Sequence, residues 1–265
     1  MEQFHFLVGE FKKNSPFIPA AASAQLFAWF EQVGERVDRY GSKTGKVVKF
    51  SQKNYEKTLF APDADSISLY SPRVVPPDDI DEWANCDVLA LYSHSSSLML
   101  AIHASKLPLA QLFQGAENIP GLLDHCDYVY GYSETLGYGT GYAGGYRIID
   151  EAHPYVPASS DPGNNWGAIQ RNGLQYEHIR DVYPINIFSQ SRLDALPPER
   201  QQALRKAMQA YGSSNTQDGN THWILSGEEQ AAARSDLQAH AMLGSLIDHS
   251  PPGARNIMTT AFLGS

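Results

Sequence analysis

The stretch from Tyr128 to Tyr146 is the most unusual part of the sequence, because six tyrosines alternate there with six glycines. Within it, Gly139 to Gly144 matches the G-x-G-x-x-G spacing of dinucleotide-binding loops. Such a loop needs a following helix whose N-terminus holds the pyrophosphate, whereas Tyr146 to Ile149 has the pattern of a strand. We therefore interpret the stretch as a glycine-rich turn or bulged hairpin. The alternative is a recognition surface on which Tyr138 and Tyr142 are rigid aromatic anchors.

A second candidate site is an acidic run that directly follows two prolines. It consists of four carboxylates and a tryptophan: Asp78, Asp79, Asp81, Glu82 and Trp83. The first carboxylates could cap a short helix and the others could favour its positive end. The same residues could instead form an acidic patch that steers and holds a cationic protein surface, extended by Glu134, Asp150 and Glu151 if these lie on the same face.

Signatures of catalysis and metal binding are missing from the sequence. The nine histidines form no H-E-x-x-H and no H-x-H pair, and no G-x-S-x-G or phosphate-loop spacing occurs. We therefore predict no catalytic residue, no metal site and no cofactor. The enzyme alternative is a hydrolase or nucleotide-using protein whose site is the Tyr/Gly stretch together with Glu134, Asp150 and His153.

The charge balance favours a basic protein partner. The 265 residues include 20 basic and 29 acidic side chains, for a formal net charge of -9. Nucleic-acid binders concentrate lysine and arginine, so direct nucleic-acid binding is not expected. The two cysteines form no C-x-x-C pair, and no apolar run approaches the length of a signal peptide core or a membrane helix. The expectation is a cytoplasmic protein with reduced thiols and no membrane contact.

Strands and helices are predicted in mixed order, which favours an α+β fold with a mainly antiparallel sheet rather than a doubly wound one. Apolar spacing predicts flanking helices over 20–40, 198–211 and 228–248, and further helical segments within 109–130. Alternation predicts a first strand over 4–11 and a hairpin in which 98–104 pairs with 88–92. The segment 213–220 has the composition of a polar loop. We predict a single domain over 1–265.

One segment resembles a known family. The run from Arg180 to Phe188, followed by Ser191, Leu193 and the helix from Pro198, resembles the C-terminal part of bacterial immunity proteins. These proteins guard against type VI secretion and polymorphic toxins, and the segment resembles especially the immunity protein 52 family. The Gly145 to Asp150 stretch and the order of elements are similar too. The resemblance implies a cytoplasmic antidote that blocks a toxin, often a nuclease, by binding it, and it implies no catalytic residues.

The sequence thus predicts an immunity protein that neutralises a type VI secretion toxin, a basic nuclease, in a stoichiometric complex. The expected contacts are the acidic run with Trp83, and the tyrosines Tyr138 and Tyr142. Another possibility is a structural component of a phage or secretion system, which would assemble with itself in solution.

Overall fold

The computed structural model describes residues 2–42, 46–72, 86–93, 97–136, 166, 169 and 173–244. The strands in these ranges are β1 (Glu2–Phe11), β2 (Arg39–Gly41), β3 (Val47–Lys49), β4 (Ser66–Pro72), β5 (Cys86–Ser93), β6 (Ser97–His103), β7 (Cys126–Leu136), β8 (Ile185–Ser189), β9 (Ser213–Gln217) and β10 (Asn220–Ile224). The helices are α1 (Pro19–Gln32), α2 (Gln52–Leu59), α3 (Leu109–Glu117), α4 (Gln190–Ala195), α5 (Pro198–Ala210) and α6 (Gly227–Ala239).

All ten strands belong to one sheet in the order β3-β2-β4-β5-β6-β1-β7-β8-β10-β9. Every neighbouring pair is antiparallel. The α+β class with a mainly antiparallel sheet is therefore confirmed. The predicted hairpin is confirmed as well, since β5 pairs with β6 from Val88↔Ile102 to Tyr92↔Leu98.

The sheet is covered by helices on both faces. Side chains alternate along a strand, so Phe4, Phe6 and Val8 pack on one face, with α4, α5 and α6, while Leu7 packs on the other, with α1, α2 and α3. We call these the tyrosine face, after Tyr128 and its neighbours on β7, and the α3 face. This two-sided burial explains why the central strands are rich in apolar residues at nearly every position.

Helix α1 ends earlier than its apolar pattern predicts. The predicted range was 20–40, but the helix stops at Gln32 and residues 39–41 form β2. Gly34 adopts a left-handed φ of 73°, its N–H donates to the Glu31 carbonyl, and the Glu35 N–H donates to the Phe30 carbonyl. This is a Schellman C-cap, which glycine forms without a Cβ penalty. The prediction beyond Gln32 was therefore wrong.

Three other sequence predictions are also wrong. Residues 126–130 are not helical but begin β7, which pairs with β1 along its length and with β8 over residues 128–131. Residues 213–217 form the edge strand β9 instead of a loop. Helix α6 ends at Ala239 rather than at residue 248. Helix α2 was not predicted. The prediction for α5 is confirmed to within one residue.

No helix in the described ranges is long and apolar enough to cross a membrane.

Candidate functional site

The predicted contact residues lie outside the described residues. This applies to the acidic run Asp78, Asp79, Asp81, Glu82 and Trp83, and to Tyr138 and Tyr142. It applies also to Asp150 and His153 of the enzyme alternative. Glu134, the described member of that set, is a buried residue of β7 with 3% exposure.

The first tyrosines of the Tyr/Gly stretch are core residues of β7. Tyr130 stacks on Tyr183 with ring centroids 4.3 Å apart, and Tyr128 stacks on Phe188 at 4.8 Å. Arg180 donates a hydrogen bond of 2.5 Å to the Tyr130 hydroxyl. Burial raises the pKa of Tyr128 and of Tyr183 well above the usual range. These rings pack the tyrosine face. Because the residues are paired in β7, this part of the stretch is a strand and not a turn.

The segment that carries the family resemblance is also structural. Asp181 is fully buried, and its carboxylate accepts two hydrogen bonds from Arg234, at 2.8 and 3.2 Å, and one from the Val182 N–H. Asn186, fully buried on β8, donates to the Tyr183 carbonyl and accepts from the Tyr183 N–H. This network fixes the entry of the chain into β8.

A β-bulge places a charged side chain at the junction of β1 and β7. Glu10 pairs with Tyr128 and Phe11 pairs with Cys126, so Asp127 has no partner residue in the ladder. Bulges bend a strand and redirect a side chain, often beside functional sites. Here the bulge brings the Asp127 carboxyl toward Arg192 at the start of α4, with Asp127 Oδ1 3.8 Å from Arg192 Nη1.

Arg192 is the centre of a buried charged cluster with Glu10 and Asp127. Its side chain is 1% exposed, and its Nη2 lies 3.9 Å from Glu10 Oε2. The guanidinium donates to the His178 carbonyl at 2.9 Å and lies over the rings of Tyr128 and Tyr176. Neither Arg192 Nε nor Asp127 Oδ1 makes a hydrogen bond to a described residue. The Arg192 guanidinium thus makes two long ion pairs, one with each carboxyl, and no short hydrogen bond to either.

The pKa of Glu10 is strongly shifted in this cluster. Its Oε1 accepts a 2.7 Å hydrogen bond from the Trp166 indole N–H. Burial raises the pKa of the Glu10 carboxyl from 4.5 to about 7, against the attraction of Arg192. Burial also raises the pKa of Asp127. Because two buried carboxyls share a single guanidinium, the cluster favours retention of a proton near neutral pH.

A cavity of about 490 Å³ lies on the α3 face, with Asp127 in its wall. It is enclosed by the C-terminal half of α3, the following turn, β7, β8 and the β9–β10 hairpin. The lining residues are Gln114, Glu117, Asn118, Ile119, Pro120, Gly121, Leu123, Asp124, Cys126, Asp127, Val129, Ile187, Ser189, Gln217, Asp218, Asn220 and His222. Its volume is within the range of clefts that bind small ligands.

The accessible lining of the cavity is mainly polar, and exposed carboxylates stand at its edge. Val129 and Ile187 are buried in the sheet, whereas Glu117, Asp124 and Asp218 are exposed. His222 is in contact with the Glu117 carboxylate at 3.7 Å and with the Phe113 ring edge-on at 5.9 Å between centroids.

A second groove of about 330 Å³ lies between α1 and α2. Its walls are mainly apolar, and Phe60 at its edge is 62% exposed. Its floor contains the hydrogen bond between the Ser23 and Tyr55 hydroxyls. Neither this groove nor the cavity provides a metal centre, since no three His, Cys, Asp or Glu side chains in the described ranges are grouped to hold an ion.

Sequence reasoning missed the cavity residues. One local signal was present, because Asp-Gly at 218–219 is the preferred pair for a tight hairpin turn. Both residues have the positive φ that a type I′ turn requires, 51° and 78°. The remaining residues come from distant segments, and their patterns do not indicate that they meet.

Comparison with known proteins shows a similarity of fold. No protein-family model matches the chain, and no curated protein matches it. The fold is similar to that of a Pseudomonas aeruginosa structure titled T6SS protein PA0821, with a TM-score of 0.50 and 13% identity, over 95% of this chain and 77% of that one. At this identity the similarity shows a shared fold.

Proposed function

We propose that this chain is an immunity protein of a type VI secretion system that neutralises a cognate toxin by binding it. The fold shared with a T6SS protein over 95% of the chain carries this proposal. The resemblance of Arg180 to Phe188 to immunity proteins, especially the immunity protein 52 family, supports it independently. The proposed place of action is the cytoplasm, where a delivered toxin meets its target.

The charge of the chain suggests the type of toxin. A nuclease is basic around its nucleic-acid site, and a net charge of -9 speeds the encounter with such a surface. We propose a nuclease effector as the partner. The acidic run from Asp78 to Glu82 with Trp83, and the tyrosines Tyr138 and Tyr142, remain proposed contacts.

Co-expression with the toxin candidates encoded beside this chain tests the proposal. Rescue of growth and copurification as a stoichiometric complex are expected. If the wild-type chain neither binds nor rescues against any neighbouring toxin, the proposed function is wrong.

A charge reversal tests the acidic run separately. The triple variant Asp78→Lys, Asp79→Lys and Asp81→Lys should slow association and increase toxicity while the isolated protein stays folded. Full rescue by this variant would exclude the acidic run as a contact and leave the function intact.

A structural component of the secretion apparatus is the second candidate, because the similar structure is a T6SS protein whose name does not distinguish this role from immunity. Such a component assembles with itself, whereas an immunity protein stays a small discrete species. Light scattering after size exclusion distinguishes the two, since concentration-dependent large assemblies would favour the structural component.

A further inference from the structure

We propose that the chain forms a two-fold symmetric dimer in which the edge strands β9 (Ser213–Gln217) of two copies pair antiparallel and join the two sheets. β9 is the last strand of the sheet, and in the part of the chain that the structure describes its one strand partner is β10. The inference goes beyond the proposed function, because the partner is a second copy of this chain and not the toxin.

Four backbone groups at the outer edge of β9 are positioned to pair with another strand. In an antiparallel ladder, the backbone groups of successive residues point alternately to the two neighbouring strands. The Leu225 N–H donates at 2.9 Å to the carbonyl of the residue that precedes β8, so the backbone groups of Ile224 point the other way, to Ser213 of β9. By the same alternation along β9, the N–H and C=O groups of Ser214 and Thr216 point away from the sheet.

These groups fit a second copy in a register centred on Asn215. With Asn215 on the two-fold axis, Ser214 of each copy lies opposite Thr216 of the other. Each of these two pairs exchanges two hydrogen bonds, so the outward groups of both copies are all satisfied. The Asn215 side chains then face each other across a non-hydrogen-bonded pair, with Cα atoms about 4.5 Å apart, and each amide offers both a donor and an acceptor.

The absence of charge on β9 favours a second copy over a basic toxin as the partner. All five residues of the strand are exposed and uncharged, so two copies meet there without like charges opposite each other. The single carboxylate of the β9–β10 hairpin, Asp218, would lie about 20 Å from its counterpart at about 3.3 Å per residue, beyond the screening length of about 8 Å. A basic toxin would find no carboxylate on this strand to pair with.

The opposite edge of the sheet differs from β9 in ways that discourage pairing. Strand β3 has three residues, includes Lys49 and directly follows Lys46. Short length and lysines are the usual means of blocking an edge strand, and β9 has neither lysine, proline nor a bulge. Because two-fold pairing occupies the β9 edge of both copies, the product is a closed dimer and not a fibre.

Sedimentation equilibrium of the full chain, from about 10 μM to about 1 mM, tests the dimer. Two five-residue strands bury less than the roughly 1,200 Å² of a stable complex, so we expect a weak, reversible dimer with a dissociation constant below about 1 mM. A chain that stays monomeric at about 1 mM would overturn the inference. Species larger than the dimer would also overturn it, because the proposed pairing leaves no β9 edge to extend.

The substitution Thr216→Pro tests the pairing edge. It removes one outward N–H from each copy, and thus two of the four hydrogen bonds, at a position whose backbone does not bond to β10. We expect dimerisation to weaken at least about 10-fold. The matched control Thr216→Ala keeps the N–H and should stay within about 2-fold of the wild type. Equal weakening by both variants, with the fold checked by circular dichroism, would contradict pairing at this edge.

Cysteine cross-linking tests the register and does not depend on the proline variant folding. In Asn215→Cys the two thiols meet at the axis, whereas in Gln217→Cys, on the same face of β9, they lie about 13 Å apart at about 3.3 Å per residue. Both native cysteines are buried and do not compete. With oxygen and copper phenanthroline as the oxidant, we expect the first variant to form the disulfide dimer at least about 10-fold faster. Equal rates would overturn the proposed register.

Discussion

The substitution Glu10→Gln should remove a pH-dependent loss of stability. Burial raises the pKa of Glu10 from 4.5 to about 7 in the folded protein. Between these two values the folded state binds more protons than the unfolded state, so the free energy of unfolding falls as pH rises. At about 1.4 kcal/mol per pKa unit, this shift corresponds to about 3 kcal/mol lost between pH 4.5 and 7.

Glutamine keeps the hydrogen bond that the Glu10 side chain accepts. Its amide oxygen can still accept the hydrogen bond from the Trp166 indole N–H, and it never ionises. We therefore expect the variant and the wild type to differ little at pH 4.5. Above pH 7 the variant should be more stable by about 3 kcal/mol.

Urea unfolding of both proteins at pH 4.5, 6 and 8 measures this difference, in which the contributions of other titrating groups largely cancel. The exposed residue Glu31 provides the control, because Glu31→Gln should leave the pH profile parallel to that of the wild type. A difference between Glu10→Gln and wild type that stays constant within about 1 kcal/mol from pH 4.5 to 8 would refute the reasoning.

Three further predictions concern stability. Arg192→Met leaves two buried carboxyls without their cation. The free energy of unfolding, measured with urea at pH 7.5, should fall by about 3–5 kcal/mol. Adding Glu10→Gln should recover part of this loss. Asp181→Asn removes the charge that pairs with Arg234, so the free energy of unfolding should fall by at least about 1 kcal/mol. A smaller decrease would contradict a contribution of this buried pair to stability. Gly212→Ala should destabilise far more than Gly219→Ala in thermal melts, because its Cβ would lie 2.2 Å from the Ile224 carbonyl oxygen, whereas nothing lies within 4 Å at Gly219.

The parts of the fold that depend on local pattern could be predicted from the sequence. Alternation and a short polar connection predict the β5–β6 hairpin, and the start at Pro198 predicts α5 to within a residue. Gly34 also carried a local signal for the end of α1, but the apolar stripe continuing to Val37 obscured it.

The parts decided by distant pairing could not be predicted. Tyr128 and Tyr130 stand in a segment with helix-like apolar spacing, yet pairing of β7 with β1 and β8 makes them strand residues. The buried cluster has the same origin, since Glu10 on β1, Asp127 on β7 and Arg192 on α4 meet only after these remote segments pack together. The net charge indicated an acidic chain, and the contacts proposed from the sequence lie outside the described residues.

The central position of β1 has a consequence for the order of folding. Phe4 pairs with His103 on one side and with Glu134 on the other, so the first strand has to wait for segments about a hundred residues away. The β4–β5–β6 and β8–β10–β9 groups instead close through shorter loops, at lower entropic cost. Until β1 inserts between them, the facing edges of β6 and β7 are open templates for strands of other chains. Insertion of residues 2–11 closes both of these edges in the folded protein.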